Sequence, residues 1–143
     1  MLNALAPAER RAFPFARFRS AWRAILQAVR ETYDCQACGA CCANPEENRA
    51  ERFRDYVEVQ KGTPLAKAPA LLKQYAVRNA RGVWHLRLVG VEQRCAALTG
   101  KLGERVSCAI YAERPNGCRT VEAGDRRCRQ YRRERGIGVH GGD

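Results

Sequence analysis

Four of the chain's eight cysteines lie within eight residues, in the pattern CxxCxxCC, and the other four lie in the second half of the sequence. The full set is Cys35, Cys38, Cys41, Cys42, Cys95, Cys108, Cys118 and Cys128. Thiolates are natural ligands of zinc and of iron–sulfur clusters, and a gap of two residues lets neighbouring sulfurs converge on one centre. The pattern therefore predicts that all eight cysteines are metal ligands.

The third evenly spaced cysteine favours an iron–sulfur cluster or iron, with zinc as the alternative cofactor. A zinc knuckle normally contributes two cysteines and takes its other two ligands from elsewhere. Three sulfurs at two-residue gaps can instead surround a cube-shaped cluster that takes its fourth ligand from a distant segment. Adjacent residues project in different directions, so Cys41 and Cys42 are expected to serve different centres or a bridged one. The number of centres stays open at this stage.

The N-terminus has no apolar run before Glu9, and no stretch of the chain approaches membrane-spanning length. These features predict a cytoplasmic protein without a membrane partner. In a reducing compartment, eight cysteines are expected to bind metal rather than to form four disulfides.

The length of 143 residues suits one domain with a modest hydrophobic core that a metal would help to stabilise. We predict an α+β fold that is mostly helical: a small single domain with a short antiparallel hairpin, organised around a cysteine-rich metal site. Its expected parts are an N-terminal amphipathic helix within residues 1–34, a metal-chelating domain over 35–135 and a flexible tail over 136–143.

Helix signals occur at four places. Apolar residues recur every three or four positions over 9–33, which predicts the amphipathic helix. Asn44 followed by a proline and two acids predicts a capped helix over 44–60. A short helix is expected near 71–76, closed by Gly82, and Asp125 is expected to cap a basic helix over 126–135.

Strand signals lie between the last two helices. Alternating side chains over 83–91 predict one strand, and the sequence over 99–103 predicts a turn that leads into a second strand over 104–110. The two strands suggest a small antiparallel sheet.

The formal net charge of +11 comes mostly from arginine, which raises nucleic acid as a second kind of partner. In this alternative, zinc holds the fold while arginines over 17–30 and 126–135 contact phosphates. Arginine is spread along nearly the whole chain rather than gathered in one block, which weakens this interpretation. Four arginines that adjoin cysteines could instead donate hydrogen bonds to ligated sulfur: Arg94, Arg119, Arg127 and Arg129.

No catalytic motif accompanies the cysteines. The only histidines are His85 and His140, neither of which has ligand or dyad spacing to a cysteine, and no HExxH helix or phosphate-binding glycine loop is present. The sequence therefore does not indicate an enzyme. We expect a metal-binding protein with a redox, metal-handling or sensing role. Besides the metal ion or cluster, a protein is a further candidate partner.

The downstream cysteines lie in a recognisable context, Cys108-x-Ile-Tyr-x-x-Arg-Pro-x-x-Cys118-Arg. Together with CxxCxxCC this segment resembles the YkgJ family of cysteine-cluster proteins, the CxxCxxCC-type zinc- or iron-chelating domain, from Cys35 to Cys128. The resemblance implies an all-cysteine metal domain with all eight cysteines in the family's positions, and it implies no known reaction. A related pattern accompanies flagellin lysine methylase, which gives a small component of a redox or methyl-transfer enzyme as another alternative.

Overall fold

The computed structural model describes residues 33–138. The helix predicted over 9–33, apart from its last residue, and His140 in the predicted tail lie outside the described residues. Among those residues, no helix combines the length and the apolar character needed to cross a bilayer.

The described part of the chain has two short helices, then six short strands, then a third helix. Its α-helices are α1 (Glu46–Ala50), α2 (Pro69–Tyr75) and α3 (Arg126–Glu134). Its strands are β1 (Ala76–Arg78), β2 (Trp84–Leu86), β3 (Leu88–Val89), β4 (Arg94–Cys95), β5 (Leu98–Gly100) and β6 (Val106–Cys108). Single 3₁₀ turns lie at Cys35–Ala37, Ala40–Cys42, Leu65–Lys67 and Asn116–Arg119.

The six strands form three separate antiparallel pairs: β1 with β2, β3 with β4, and β5 with β6. The predicted α+β class is therefore confirmed, and three short hairpin-like pairs replace the single predicted one. The expectation of a mostly helical chain is not met over residues 33–138, where the helices are five, seven and nine residues long.

The helix predicted over 44–60 ends ten residues early, at Ala50. Arg52 adopts a left-handed conformation with φ 58°, and the Phe53 amide donates to the carbonyl of Asn48 at 2.7 Å. This hydrogen bond spans the last turn as in a Schellman motif, with arginine in the place usually taken by glycine. The sequence has no glycine there, so the local signal for this stop was missing.

Asn44 does not cap α1 as predicted, because Pro45 occupies the capping position. The Asn44 side chain is instead fully buried. Its amide nitrogen donates to the Phe53 carbonyl at 2.7 Å and to Gln93 Oε1 at 2.9 Å. Asn44 thus ties the loop after the CxxCxxCC segment to two distant parts of the chain.

The strand predicted over 83–91 is two strands that belong to different pairs. His85 lies opposite Val77 in the β1–β2 pair, whereas Leu88 lies opposite Cys95 in the β3–β4 pair. The break falls at Arg87, whose amide donates to the carbonyl of Tyr75 at 2.8 Å. Residues 76–78 form β1 instead of extending the preceding helix.

The turn predicted over 99–103 is confirmed: β5 ends at Gly100, and β6 covers the middle of the strand predicted over 104–110. The basic helix with its Asp125 cap is also confirmed, although α3 ends at Glu134.

Two groups of buried side chains form the core. The larger contains Val57, Val59, Leu65, Ala76, Leu86, Ala97 and Ile110, with three cysteines, Cys95, Cys108 and Cys118, packed against it. The smaller contains Cys38, Ala40 and Tyr131, with Cys41, Val121 and Ile137 packed against it. Cysteines therefore adjoin both parts of the core.

Candidate metal centre

All eight cysteines line one cavity of about 130 Å³, although they come from segments up to 93 residues apart in sequence. None of them forms a disulfide. Cys35 is exposed and Cys38 is buried, while the other six are partly buried. The fold thus gathers every predicted ligand around the same space.

The CxxCxxCC segment bends sharply around the cavity. Asp34 starts the first 3₁₀ turn, because its Oδ1 accepts the Gln36 amide at 2.8 Å. Gly39 then takes φ 70°, and an added Cβ would lie 3.0 Å from the nearest methyl group of Leu102. The Ala40 amide donates to Cys38 Sγ at 3.4 Å. Two short turns joined by a left-handed glycine therefore point successive cysteines toward one side.

Backbone pairing brings Cys42 to Cys95. Ala43 forms an antiparallel bridge with Arg94, and the Asn44 amide donates to the carbonyl of Gln93 at 2.9 Å. Because Cys42 directly precedes Ala43 and Cys95 directly follows Arg94, this antiparallel bridge brings the two cysteines close to each other. The sequence separation of these segments is too large for any local pattern to predict the pairing.

Two short elements place the next cysteines. Cys108 ends β6, opposite Leu98 of β5. Pro115 is fully buried and precedes the turn that holds Cys118, whose amide donates to the Pro115 carbonyl at 3.1 Å. The proline fixes its own φ, so the entry into this turn is restrained.

Helix α3 places Cys128 in its first turn. Asp125 Oδ1 accepts the Cys128 amide at 2.6 Å, and Asp125 Oδ2 accepts the Glu122 amide at 2.9 Å. Tyr131, one turn further along α3, is buried beside Cys38. The cap and this packing together fix Cys128 against the CxxCxxCC segment.

Replacing Asp125 with alanine is expected to destabilise the fold by about 1 kcal/mol, because the first amides of α3 lose their side-chain acceptor. Asp125→Asn is the matched control, since asparagine caps helices about as well as aspartate. Urea unfolding of the full chain measures both variants. Equal losses from alanine and asparagine would contradict the capping role.

Burial and mutual repulsion oppose ionisation of the thiols near the strands. Burial raises the pKa of Cys118 to about 12, with further increases from the charges of Cys95, Cys108 and Cys41. Burial likewise raises the pKa of Cys95, and the charge of Cys108 adds to the effect. These thiols are protonated at neutral pH without a cation, so binding of a metal must release their protons.

The thiols near α3 form a second set of electrostatic neighbours. Burial raises the pKa of Cys35, and the charges of Cys41, Cys128 and Cys38 raise it further. Burial also raises the pKa of Cys128, with additional repulsion from Cys38 and Cys41.

The side chains of Cys41 and Cys42 interact with each other, and this interaction joins the two sets. It lowers the pKa of Cys41 and raises the pKa of Cys42. Apart from Cys41, the charged neighbours that raise the Cys42 pKa are Cys95 and Cys118.

Over residues 33–138, no three Cys, His, Asp or Glu side chains form a group that could hold a metal ion as they stand. The donors nevertheless fit such a group in kind and location, because eight unpaired thiols surround one cavity and lie near enough to repel one another when charged. A soft cation would remove that repulsion.

The arginines next to cysteines do not all serve sulfur. Arg94 donates to the carbonyls of Gly100 and Leu98 at 2.7 and 2.6 Å, and Arg119 donates to the carbonyl of Ala112 at 3.2 Å. Arg94 therefore holds the β5 strand next to Cys95. Hydrogen bonds to ligated sulfur from Arg127 and Arg129 remain predictions.

Two supporting residues were not predicted. Tyr56 lines the cavity, and its hydroxyl donates to the Cys41 carbonyl at 2.9 Å. Asp34 caps the first turn, as described above. An aspartate directly before CxxC is a capping signal that the sequence contains, whereas Tyr56 has no local pattern that could have identified it.

Comparison with known proteins gives a family model that matches residues 34–136, described as "CxxCxxCC: Putative zinc- or iron-chelating domain". A protein of Acinetobacter calcoaceticus named "Putative ferredoxin" is 32% identical over 108 residues, covering 76% of this chain and 78% of that protein. No solved structure gives a significant match. The matched range contains all eight cysteines of the cavity, and the chain belongs to the CxxCxxCC family of zinc- or iron-chelating domains.

Proposed function

We propose that this protein is a small electron-transfer protein that binds an iron–sulfur cluster through cysteine thiolates. The observation that carries the proposal is the single cavity lined by all eight free cysteines. Eight thiols exceed the needs of one tetrahedral ion, which takes four. The relative named as a ferredoxin and the evenly spaced CxxCxxC both favour iron over zinc.

The residues of the cavity suit a redox role better than a catalytic one. When bound, an iron–sulfur group supplies one-electron transfer, with a potential set by hydrogen bonds to sulfur and by solvent exposure. The Ala40 amide already donates to Cys38 Sγ, and exposed Cys35 brings one edge of the cavity to the surface. Electron exchange at such an edge needs contact with a protein partner but no separate substrate pocket.

The contacts of the basic helix α3 weaken the nucleic-acid alternative. Arg132 is buried and donates to the carbonyl of Gly138, while Arg135 donates to the carbonyls of Glu92 and Asn44. These two arginines of the 126–135 segment therefore bind their own chain. Exposed arginines remain at Arg126, Arg127, Arg129 and Arg133.

Purification of the full chain without oxygen tests the proposal. We expect brown protein that contains iron and acid-labile sulfide in about equal amounts, and whose visible absorption bleaches on reduction with dithionite. Zinc determination on the same sample is the internal control. Colourless protein with zinc and no sulfide would overturn the redox proposal and leave a zinc-chelating domain.

A further inference from the structure

We propose that the eight cysteines form two four-thiolate centres, and that the CxxCxxCC segment is divided between them after Cys41. This inference rests on the proposed metal binding. The helix group is Cys35, Cys38, Cys41 and Cys128, and the sheet group is Cys42, Cys95, Cys108 and Cys118.

Core packing separates the four cysteines of the second half of the chain into two groups. Cys95, Cys108 and Cys118 pack against the larger core, around Leu86 and Ile110. Cys38 and Cys41 belong to the smaller core with Tyr131 of α3, and the first turn of the same helix contains Cys128, whose amide is held by the Asp125 cap. Cys128 on α3 is therefore brought to the CxxCxxCC segment, while the other three cysteines of the second half of the chain lie together against the larger core.

Backbone register assigns Cys42. The second 3₁₀ turn ends at Cys42, and the backbone becomes extended at Ala43, with φ −127° and ψ 150°. Ala43 bridges to Arg94, and the Asn44 amide donates to the carbonyl of Gln93. Cys42 therefore lies where the chain joins the β-paired region, beside the residue that precedes Cys95.

Cys41 stays with the helix group. It packs against the smaller core next to Cys38, and its carbonyl is held by the Tyr56 hydroxyl. Each group therefore has four thiols, the number that a tetrahedral metal or a cubane cluster requires.

Paired cysteine replacements test this division, because every variant loses the same number of thiols. Cys108→Ser with Cys118→Ser removes two ligands from the sheet group, and Cys35→Ser with Cys128→Ser removes two from the helix group. Each is expected to keep about half of the wild-type metal per folded monomer. Cys118→Ser with Cys128→Ser removes one ligand from each group and is expected to keep less than either. Loss of all metal from a within-group pair, or equal retention by all three pairs, would overturn the division.

Wild-type protein gives a second readout if a paired variant does not fold. During stepwise chelation, newly freed thiols are alkylated with iodoacetamide and identified by mass spectrometry. We expect Cys41 to be labelled at the same step as Cys38 and Cys128. We expect Cys42 to be labelled at the same step as Cys95, Cys108 and Cys118. Labelling of Cys41 with the sheet group would overturn the division. Finding zinc instead of iron would defeat the proposed redox function while leaving this test intact, since it counts ligands for either metal.

Discussion

Removing the metal from the protein is expected to abolish its cooperative thermal unfolding transition. Structural zinc in small domains contributes an apparent binding free energy of about 10–16 kcal/mol, comparable to the whole stability of a typical domain, about 5–15 kcal/mol. The smaller part of the core offers little to replace it, because it consists of Cys38, Ala40 and Tyr131. Without a cation, thiols that ionise in the cavity repel one another. Thiols that stay neutral have no metal to hold their segments together.

Circular dichroism and a melting curve measure this effect before and after anaerobic treatment with a chelator. Restoring the transition by adding back the metal, with sulfide where the native protein contains it, is the control for irreversible damage. A metal-free sample with an unchanged melting curve would contradict the coupling of metal binding to folding.

Gly100→Ala is expected to destabilise the protein by about 2–4 kcal/mol, since it combines backbone strain with a collision. Gly100 has φ 89°, and an added Cβ would lie 1.9 Å from the Arg105 carbonyl oxygen across the β5–β6 pair. Relief of this collision requires β6 to move, and β6 ends at Cys108. We therefore expect lower metal content as well as lower stability.

Gly90→Ala is the matched control for that substitution. Gly90 also adopts a left-handed conformation, with φ 71°, but an added Cβ would meet no atom within 4 Å. Its expected cost is the backbone strain alone, about 1–2 kcal/mol. Urea unfolding compares the two variants, and equal costs would show that the close contact at Gly100 has no energetic effect.

The sequence predicted the parts of the fold that local chemistry determines. Asp125 and the basic residues after it define α3, and the glycine-containing turn before β6 defines the last strand pair. The end of α1 could not be predicted, because Arg52 takes a left-handed conformation that glycine would normally signal. Likewise, the division of the 83–91 strand depends on pairing with two different distant strands.

The candidate site shows the same distinction. The sulfur chemistry of the cysteines and their local spacing predicted that all eight belong to a metal domain, and each of them lines the common cavity. The proposed division between two centres rests on the Ala43–Arg94 bridge and on the packing of Tyr131 beside Cys38, which are contacts between distant segments. Only the stereochemical argument that adjacent Cys41 and Cys42 diverge anticipated it.

Thiol accessibility in the native, metal-containing protein tests the central claim most directly. The sample is isolated without oxygen, its metal content is determined, and its thiols are titrated with a chromogenic disulfide reagent before and after denaturation with a chelator. We expect the native protein to react at few or none of its eight cysteines and the denatured, chelated protein to react at all eight. A folded sample that contains no metal and exposes all eight thiols to the reagent would contradict the account.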